Sequence, residues 1–261
     1  MSHPAVVVGL GQMGGVFAHG LLRVGVPVYP INRGDSLRGA ASVLSEPRLV
    51  LIAVGEAQLE GVLSELPATW RPVAGLLQNE LLPGDWRRHG LHQPTVAVVW
   101  FEKKAGRPLR PILPTPIAGP SASLLVDALT ALDIPAKRIE REALLGELVL
   151  KNLYILTSNI AGLAHARRGA DAGISVGTLL EREPALVREV AREAFAIQEA
   201  RLGASAPEFT SLWEGLVAAF GADPEHQAMG RSAPARLMRA LEIADAHGLA
   251  ASRLREIEAD R

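Results

Sequence analysis

The loop Gly9-Leu10-Gly11-Gln12-Met13-Gly14 is the first group of residues whose types and spacing suit a chemical task. Between a strand and a helix, glycines at this spacing make a tight turn, let the backbone approach a pyrophosphate, and allow close packing of helix on sheet. The unpaired N–H groups at the helix N-terminus favour the phosphates. A structural turn that is merely rich in glycine is the alternative. Because the apolar run 5–8 precedes the loop and a helical pattern follows it, we predict a dinucleotide site.

The segment Asn32-Arg33-Gly34-Asp35-Ser36 follows the second predicted strand and bears on the choice of dinucleotide. A carboxylate at this place accepts a hydrogen bond from the ribose 2′-hydroxyl of NAD, whereas an arginine suits the 2′-phosphate of NADP. The tip carries Asn32 and Arg33 and no acid, so we predict NADPH, with these two residues in contact with it. Asp35 keeps NADH as the alternative, and a solvated loop arginine is the alternative for Arg33.

Lysine is scarce in this chain, which has four lysines, Lys103, Lys104, Lys137 and Lys151, against 23 arginines. Lys151 lies in the apolar segment 148–154. Partial burial there would lower its pKa and make it a better proton donor near neutral pH. Two alternatives are a side chain that extends its charged end to water and one that pairs with Glu147, one helical turn earlier.

Strands and helices alternate in the first half of the chain. Strands are predicted at 5–8, 26–31, 49–54, 75–77 and 95–101, with connections long enough for helices between most of them, which indicates a parallel sheet with right-handed crossovers. Five prolines between 107 and 120 exclude a helix there and predict sheet-edge or extended structure. The fold class is therefore α/β.

The pattern changes at about residue 140, after which helical periodicity predominates. Helices are predicted at 144–166, 184–202, 208–220 and 233–247. We predict a dinucleotide-binding Rossmann domain over 1–140 and an all-helical domain over 141–261, used for substrate binding and dimerisation.

Composition narrows the classes of partner. With 27 basic and 28 acidic side chains the net charge is −1, so neither nucleic acid nor an anionic membrane is an expected partner. The chain has no cysteine, which excludes disulfides and thiolate chemistry, and its seven histidines show no spacing typical of a metal site. The first residues show neither the basic nor the apolar part of a signal peptide. We expect a cytoplasmic protein that acts on a small molecule and contains no metal.

Several segments together resemble the 6-phosphogluconate and β-hydroxyacid dehydrogenase superfamily, and within it the ketopantoate reductase-like proteins. They are the glycine loop, Leu77-Gln78-Asn79 after the fourth predicted strand, the helix over 148–163, the helix over 188–203, and Ala244-Asp245-Ala246-His247-Gly248-Leu249 near the end. The resemblance covers nearly the whole chain. It implies a Rossmann domain followed by a helical domain, and a nicotinamide cofactor.

The resemblance also implies which residues act. In this family a loop asparagine, here Asn79, lies beside the nicotinamide and the substrate, and a central helix carries a lysine and, eight residues later, an asparagine, here Lys151 and Asn159. Eight residues is slightly more than two helical turns, so both side chains project from nearly one face. The implied chemistry is reduction of a ketone, with Lys151 as general acid and Asn79 and Asn159 as polar positioners.

Three positions depart from the family pattern. Glu80 stands where a glycine follows the loop asparagine, Ile155 stands where the central helix carries another asparagine, and the late substrate-binding glutamate has only Glu242 as a weak candidate. Three functions therefore stay open: an NADPH-dependent reductase of a small keto acid, a dinucleotide-binding protein or sensor without reductase activity, and a β-hydroxyacid dehydrogenase-like enzyme that runs toward oxidation. A homodimer formed through the helical domain is expected.

Overall fold

The computed structural model describes residues 3–169 and 173–260. The chain divides into two compact units, one ending at Leu148 and the other beginning at Val149. This division between the two units falls within one long helix. The sequence predicts a domain boundary slightly earlier, at residue 140, and that boundary stays a prediction.

The first unit contains a seven-stranded sheet. Its strands are β1 (Ala5–Val8), β2 (Val28–Ile31), β3 (Leu49–Ile52), β4 (Ala74–Leu76), β5 (Thr95–Ala97), β8 (Thr115–Ala118) and β9 (Ala136–Arg138). They lie side by side in the order β2-β1-β3-β4-β5-β8-β9. The first five strands are parallel, β8 runs antiparallel to β5, and β9 is parallel to β8. The sheet is thus mainly parallel, which confirms the predicted α/β Rossmann-type fold.

Two interior strands of the sheet, β1 and β3, are buried on both faces, as expected for a parallel sheet covered by helices on each side. Every residue of β1 and β3 is buried, and all eight are aliphatic. The helices of this unit are α1 (Gln12–Arg23), α2 (Leu37–Val43), α3 (Glu56–Glu65), α4 (Pro83–Arg87) and α5 (Ala122–Thr130). Phe17 and Leu21 of α1 and Leu125 of α5 belong to the core on one face of the sheet.

Both edge strands carry residues that suit an edge. The carbonyl of Pro27, just before β2, accepts a hydrogen bond from the N–H of Ala5 in β1, and the carbonyl of Ile31 in β2 accepts one from the N–H of Gly9, just after β1. Because peptide groups alternate along a strand, the nitrogen of Pro30 faces away from β1, where the missing N–H breaks no hydrogen bond. At the other edge, β9 places Lys137 and Arg138 at exposed positions.

Of the two predictions for the region 95–120, the first is wrong and the second holds only in part. The segment 95–101 is not one strand, because β5 ends at Ala97 and β6 (Phe101–Glu102) pairs instead with β7 (Arg110–Pro111) in a separate two-stranded sheet. The carbonyl of Trp100 accepts from the N–H of Ile112 at 2.8 Å, which carries the chain out of the main sheet.

The proline-rich stretch also holds a strand inside the sheet rather than at its edge, since β8 lies between β5 and β9. The carbonyl of Pro116 accepts from the N–H of Val98 at 2.9 Å, but Pro116 has no N–H to return. The missing hydrogen bond is tolerated because Val98, which lies opposite Pro116, is already past the end of β5.

The second unit is helical in its described residues. The long helix α6 (Arg141–Arg167) enters it and is followed by α7 (Val176–Arg182), α8 (Pro184–Leu202), α9 (Phe209–Ala222), α10 (Ala233–Ala246) and α11 (Ser252–Ala259). The predicted helices over 144–166, 184–202, 208–220 and 233–247 are confirmed, whereas α7 and α11 were not predicted. Among the described helices, none is both long enough and apolar enough to cross a bilayer.

Candidate functional site

The glycine loop joins β1 to α1 through two positions that accept no side chain. Gly9 has a φ of +91°, and a Cβ on it would lie 3.1 Å from the carbonyl oxygen of Ala53. A Cβ on Gly14 would lie 1.9 Å from the carbonyl oxygen of Gly9, a distance that no real contact allows. These two glycines therefore fix the turn and the approach of α1 to the sheet.

Gly11 is different, because a Cβ on it would meet no protein atom within 4 Å. Leu10, Gly11 and Gln12 are all exposed, and α1 begins at Gln12 with no acidic residue in its first turn. Space beside Gly11 and the N–H groups at the start of α1 thus fit a bound pyrophosphate.

The chain after β2 forms a tight turn over Asn32–Asp35. The N–H of Asn32 donates to Oδ2 of Asp35 at 2.7 Å, the N–H of Asp35 donates to the carbonyl of Asn32 at 3.1 Å, and Gly34 has a φ of +94°. Asp35 is thereby held by its own turn, while Arg33 is exposed near its tip. The turn thus presents two exposed charged side chains after β2, Arg33 and an Asp35 whose Oδ2 is bonded within the turn.

The loop after β4 is tied to the neighbouring strand by Gln78, a buried residue whose structural role was not predicted from the sequence. Its Nε2 donates to the carbonyls of Ile52 at 2.7 Å and Val54 at 3.1 Å. This amide holds together two loops that follow adjacent parallel strands.

Asn79, which comes next, is half-buried and donates through Nδ2 to Oε1 of Glu56 at 3.1 Å. Its Oδ1 is the acceptor that this arrangement leaves for a ligand. The next residue, Glu80, has a φ of +61°. This left-handed conformation is one that glycine adopts more easily than glutamate.

Lys151 lies on α6 in the second unit and is only 7% exposed. Most side chains of α6 from 148 to 164 are buried, so the ammonium group is largely removed from bulk water. Burial, followed by the positive charge of Arg236, lowers the pKa of Lys151 from 10.5 to about 7. Its Nζ lies 5.2 Å from the ring centroid of Tyr154. Burial is inconsistent with a charged end extended to water.

The carboxylate of Glu147 lies 3.5 Å from Nζ of Lys137, so this acid pairs with an exposed lysine of the first unit. A carboxylate partner would raise the pKa of Lys151 rather than lower it. The lowered pKa is the state expected of a proton donor that works near neutral pH.

Asn159 lies two turns after Lys151 on α6 and is 6% exposed. Its Oδ1 accepts from Nη1 of Arg236 at 3.2 Å and from the N–H of Gly230 at 3.4 Å. The predicted residues Lys151 and Asn159 thus belong to one buried polar cluster in the second unit, and Arg236 of α10 is its third member. Asn79 belongs to the first unit.

Arg236 was not predicted as a site residue, although the sequence contains a signal for it. The buried positions of α10 are 233, 236, 237, 240, 241 and 244, a regular apolar stripe on which Arg236 is the single charged residue. Glu242 on the same helix is exposed and lies off this stripe.

Within the described residues, no group of three or more His, Asp or Glu side chains is arranged to hold a metal ion.

No protein-family model matches the sequence, and no curated protein matches it significantly. Comparison of structures shows the class of fold, a Rossmann domain followed by a helical domain, over essentially the whole chain. Within that class, the chain is similar to a PanE/ApbA family ketopantoate reductase from Ralstonia eutropha JMP134, with 19% identity and a TM-score of 0.66 over 98% of this chain and 96% of that one.

Two further similar structures come from the same class. One is a dimeric ketopantoate reductase from Staphylococcus aureus, with 15% identity and a TM-score of 0.62 over 98% of this chain and 96% of that one. The other is a D-mandelate dehydrogenase in complex with NADH, with 12% identity and a TM-score of 0.64 over 98% and 97% of the respective chains. At these identities the comparison establishes the fold, which is the fold of ketopantoate reductases.

Proposed function

We propose that this protein is an NADPH-dependent reductase of a small keto acid, with Lys151 as the general acid. The observation that carries the proposal is the buried Lys151, whose pKa of about 7 suits proton donation near neutral pH. Two further features support the same conclusion: the buried Asn159 on the same helix, and the dinucleotide-type loop of the first unit.

The first unit would hold the cofactor. The N–H groups at the start of α1 and the space beside Gly11 would receive the pyrophosphate. Asn32 and Arg33 would face the 2′-phosphate, because Asp35 already accepts the N–H of Asn32 and Arg33 is exposed. NADH is the alternative if Arg33 only faces solvent.

When bound, the nicotinamide supplies a hydride to the carbonyl carbon of the substrate. Lys151, in its ammonium form, donates a proton from Nζ to the carbonyl oxygen as the C=O π bond breaks, so that the product is a hydroxy acid and the lysine is left neutral. Since its pKa is about 7, the neutral amine regains a proton from water readily.

Asn159 and Asn79 would act as positioners. Asn159 is fixed by Arg236 and Gly230, which leaves little freedom in the orientation of its amide. Asn79 is fixed through Glu56, with Oδ1 available to accept from a ligand. The similarity to a dimeric ketopantoate reductase supports a homodimer as the expected assembly.

A protein that binds the dinucleotide without reducing a substrate is the second candidate. Glu80 favours it, because a carboxylate beside Asn79 would repel an anionic substrate, and Ile155 offers no hydrogen bond on the helix that carries Lys151. A dehydrogenase that runs toward oxidation would use the same residues in reverse, with Lys151 as the base.

The test begins with fluorescence titrations of the purified protein with NADPH and NADH, followed by turnover assays on a panel of 2-keto and 3-keto acids. The panel is repeated with Lys151→Met and with the matched control Lys137→Met, an exposed lysine of the first unit. Turnover that falls at least about a thousandfold in the first variant alone supports the reductase. Tight binding without turnover of any acid supports the second candidate.

A further inference from the structure

Arg236 is one of three charged side chains, with Lys151 and Asp223, that are more than nine-tenths buried among residues 3–169 and 173–260. Arginine is rarely buried to this degree, because removing a guanidinium from water is costly unless the charge is paired and hydrogen-bonded. Neither the predicted site nor the proposed reaction assigns Arg236 a chemical task.

The position of Arg236 brings a second cation to the buried lysine. The positive charge of Arg236 repels the ammonium group of Lys151 and therefore disfavours its protonated form. Two like charges in a poorly solvated site repel each other strongly. An anionic substrate that also carries a neighbouring acceptor oxygen would bring a negative charge to these two cations and lower the repulsion between them.

The guanidinium is also held in a defined orientation. Its Nη1 donates to Oδ1 of Asn159 at 3.2 Å, and that oxygen is itself anchored by the N–H of Gly230 at 3.4 Å. Helix α6 packs tightly on the loop that contains Met229 and Gly230, as a Cβ on Gly162 of α6 would lie only 3.0 Å from the backbone nitrogen of Met229. A planar guanidinium fixed in this way is suited to a carboxylate, which it can bind through two parallel hydrogen bonds.

We infer that Arg236 binds the carboxylate of the keto acid whose carbonyl oxygen faces Lys151, and that it sets the preference for anionic substrates. This inference rests on the proposed reductase function for its substrate and names the part of the site that recognises it. A purely structural role, in which Arg236 only ties α10 to α6 through Asn159, is the reading to be excluded.

The decisive experiment compares two probes of nearly equal shape by calorimetry on the full chain, with and without saturating NADPH. Oxamate has a carboxylate beside a carbonyl, whereas oxamide replaces that carboxylate by a neutral amide. Wild type should bind oxamate at least about tenfold more tightly than oxamide. Arg236→Gln should weaken oxamate binding about 10- to 100-fold and oxamide binding less than about threefold. Equal losses for both probes, or no loss for oxamate, would overturn the inference.

Two measurements keep the test informative if Arg236→Gln does not fold. Arg236→Lys retains the charge but not the two-pronged geometry, so it should weaken oxamate binding by about tenfold and leave oxamide unaffected. The second measurement is NMR of wild type labelled with ¹³C-lysine. The chain has only four lysines, so their signals can be resolved, and the signal that is missing in Lys151→Met is that of Lys151. Oxamate should raise the pKa of Lys151 and oxamide should not; a pKa unchanged by saturating oxamate contradicts the inference.

The outcomes separate this inference from the proposed reaction. Oxamate binding that depends on Arg236, without turnover of any keto acid, supports the anion site and contradicts the reductase. Turnover in which Arg236→Gln leaves KM and kcat for the keto acid unchanged supports the reductase and contradicts the anion site.

Discussion

Replacing Lys151 by methionine should change how the stability of the protein depends on pH. Folding disfavours the charged form of Lys151, because burial and Arg236 lower its pKa from 10.5 in the unfolded chain to about 7 in the folded one. Below pH 7 Lys151 is charged in both the folded and the unfolded state, so the cost of burying its charge fully destabilises the folded protein. Between pH 7 and 10.5 the unfolded state binds the proton and the folded state does not, so stability rises with pH.

The size of the effect follows from these two pKa values. Each pH unit well inside the interval contributes about 1.4 kcal/mol for one proton, and less near its lower end, where the folded state is still partly protonated. From pH 7 to pH 9 the free energy of unfolding of wild type should therefore rise by roughly 2 kcal/mol relative to Lys151→Met. The variant, which fills a similar volume without a charge, should be more stable than wild type at pH 7 and lose most of that advantage at high pH.

Urea unfolding followed by far-UV circular dichroism at several pH values measures this difference, because all other titrating groups are common to both proteins. Lys137→Met serves as the control, since Lys137 is exposed and folding removes little of its hydration. Its difference from wild type should stay constant over the same range. A constant difference for Lys151→Met as well would refute the burial of the charged group.

Three further predictions concern the cofactor and the reaction. Gly14→Ala should lower stability by about 1–3 kcal/mol and abolish NADPH binding, because its Cβ would lie 1.9 Å from the oxygen of Gly9. Gly11→Ala should keep the wild-type Tm and weaken NADPH at least about tenfold; equal falls in Tm for the two variants, measured by scanning fluorimetry, would contradict this. Arg33→Ala should weaken NADPH about 10- to 100-fold and NADH less than about threefold in fluorescence titrations, with Arg138→Ala as a control on the far strand; equal losses for both cofactors would show that Arg33 does not contact the 2′-phosphate. For the wild-type reductase, kcat/KM should be flat below pH 7 and fall tenfold per pH unit above it, because the acid is Lys151 with a pKa of about 7. In Lys151→Arg the falling limb should disappear from this range, and its persistence would assign it to another group.

The elements that could be predicted from the sequence are those with strong local patterns. Strands β1 and β3 are continuous aliphatic runs, and helices α6, α8, α9 and α10 have long apolar periodicity, so composition and spacing suffice for them. The break after Ala97 and the strand around Pro116 depend instead on pairing with distant segments. No local signal encodes such pairing, which explains why neither the break nor the interior position of β8 was predicted.

The same limit applies to the polar cluster. The position of Lys151 in an apolar segment indicates burial, but the partner of Asn159 lies 77 residues along the chain on another helix. Arg236 is visible in the sequence only as a charge on an apolar stripe, a pattern that long side chains often adopt with their charged ends in water. Only tertiary structure shows that this guanidinium stays inside.

The two edges of the main sheet have a consequence for self-association. An exposed strand edge is a template on which a second chain can add a strand, and this route leads to open-ended fibres as well as dimers. Pro30 interrupts the outward row of donors on β2, while Lys137 and Arg138 charge the edge formed by β9. Copies of this chain are therefore discouraged from joining sheet to sheet, which protects the protein from aggregation at high concentration.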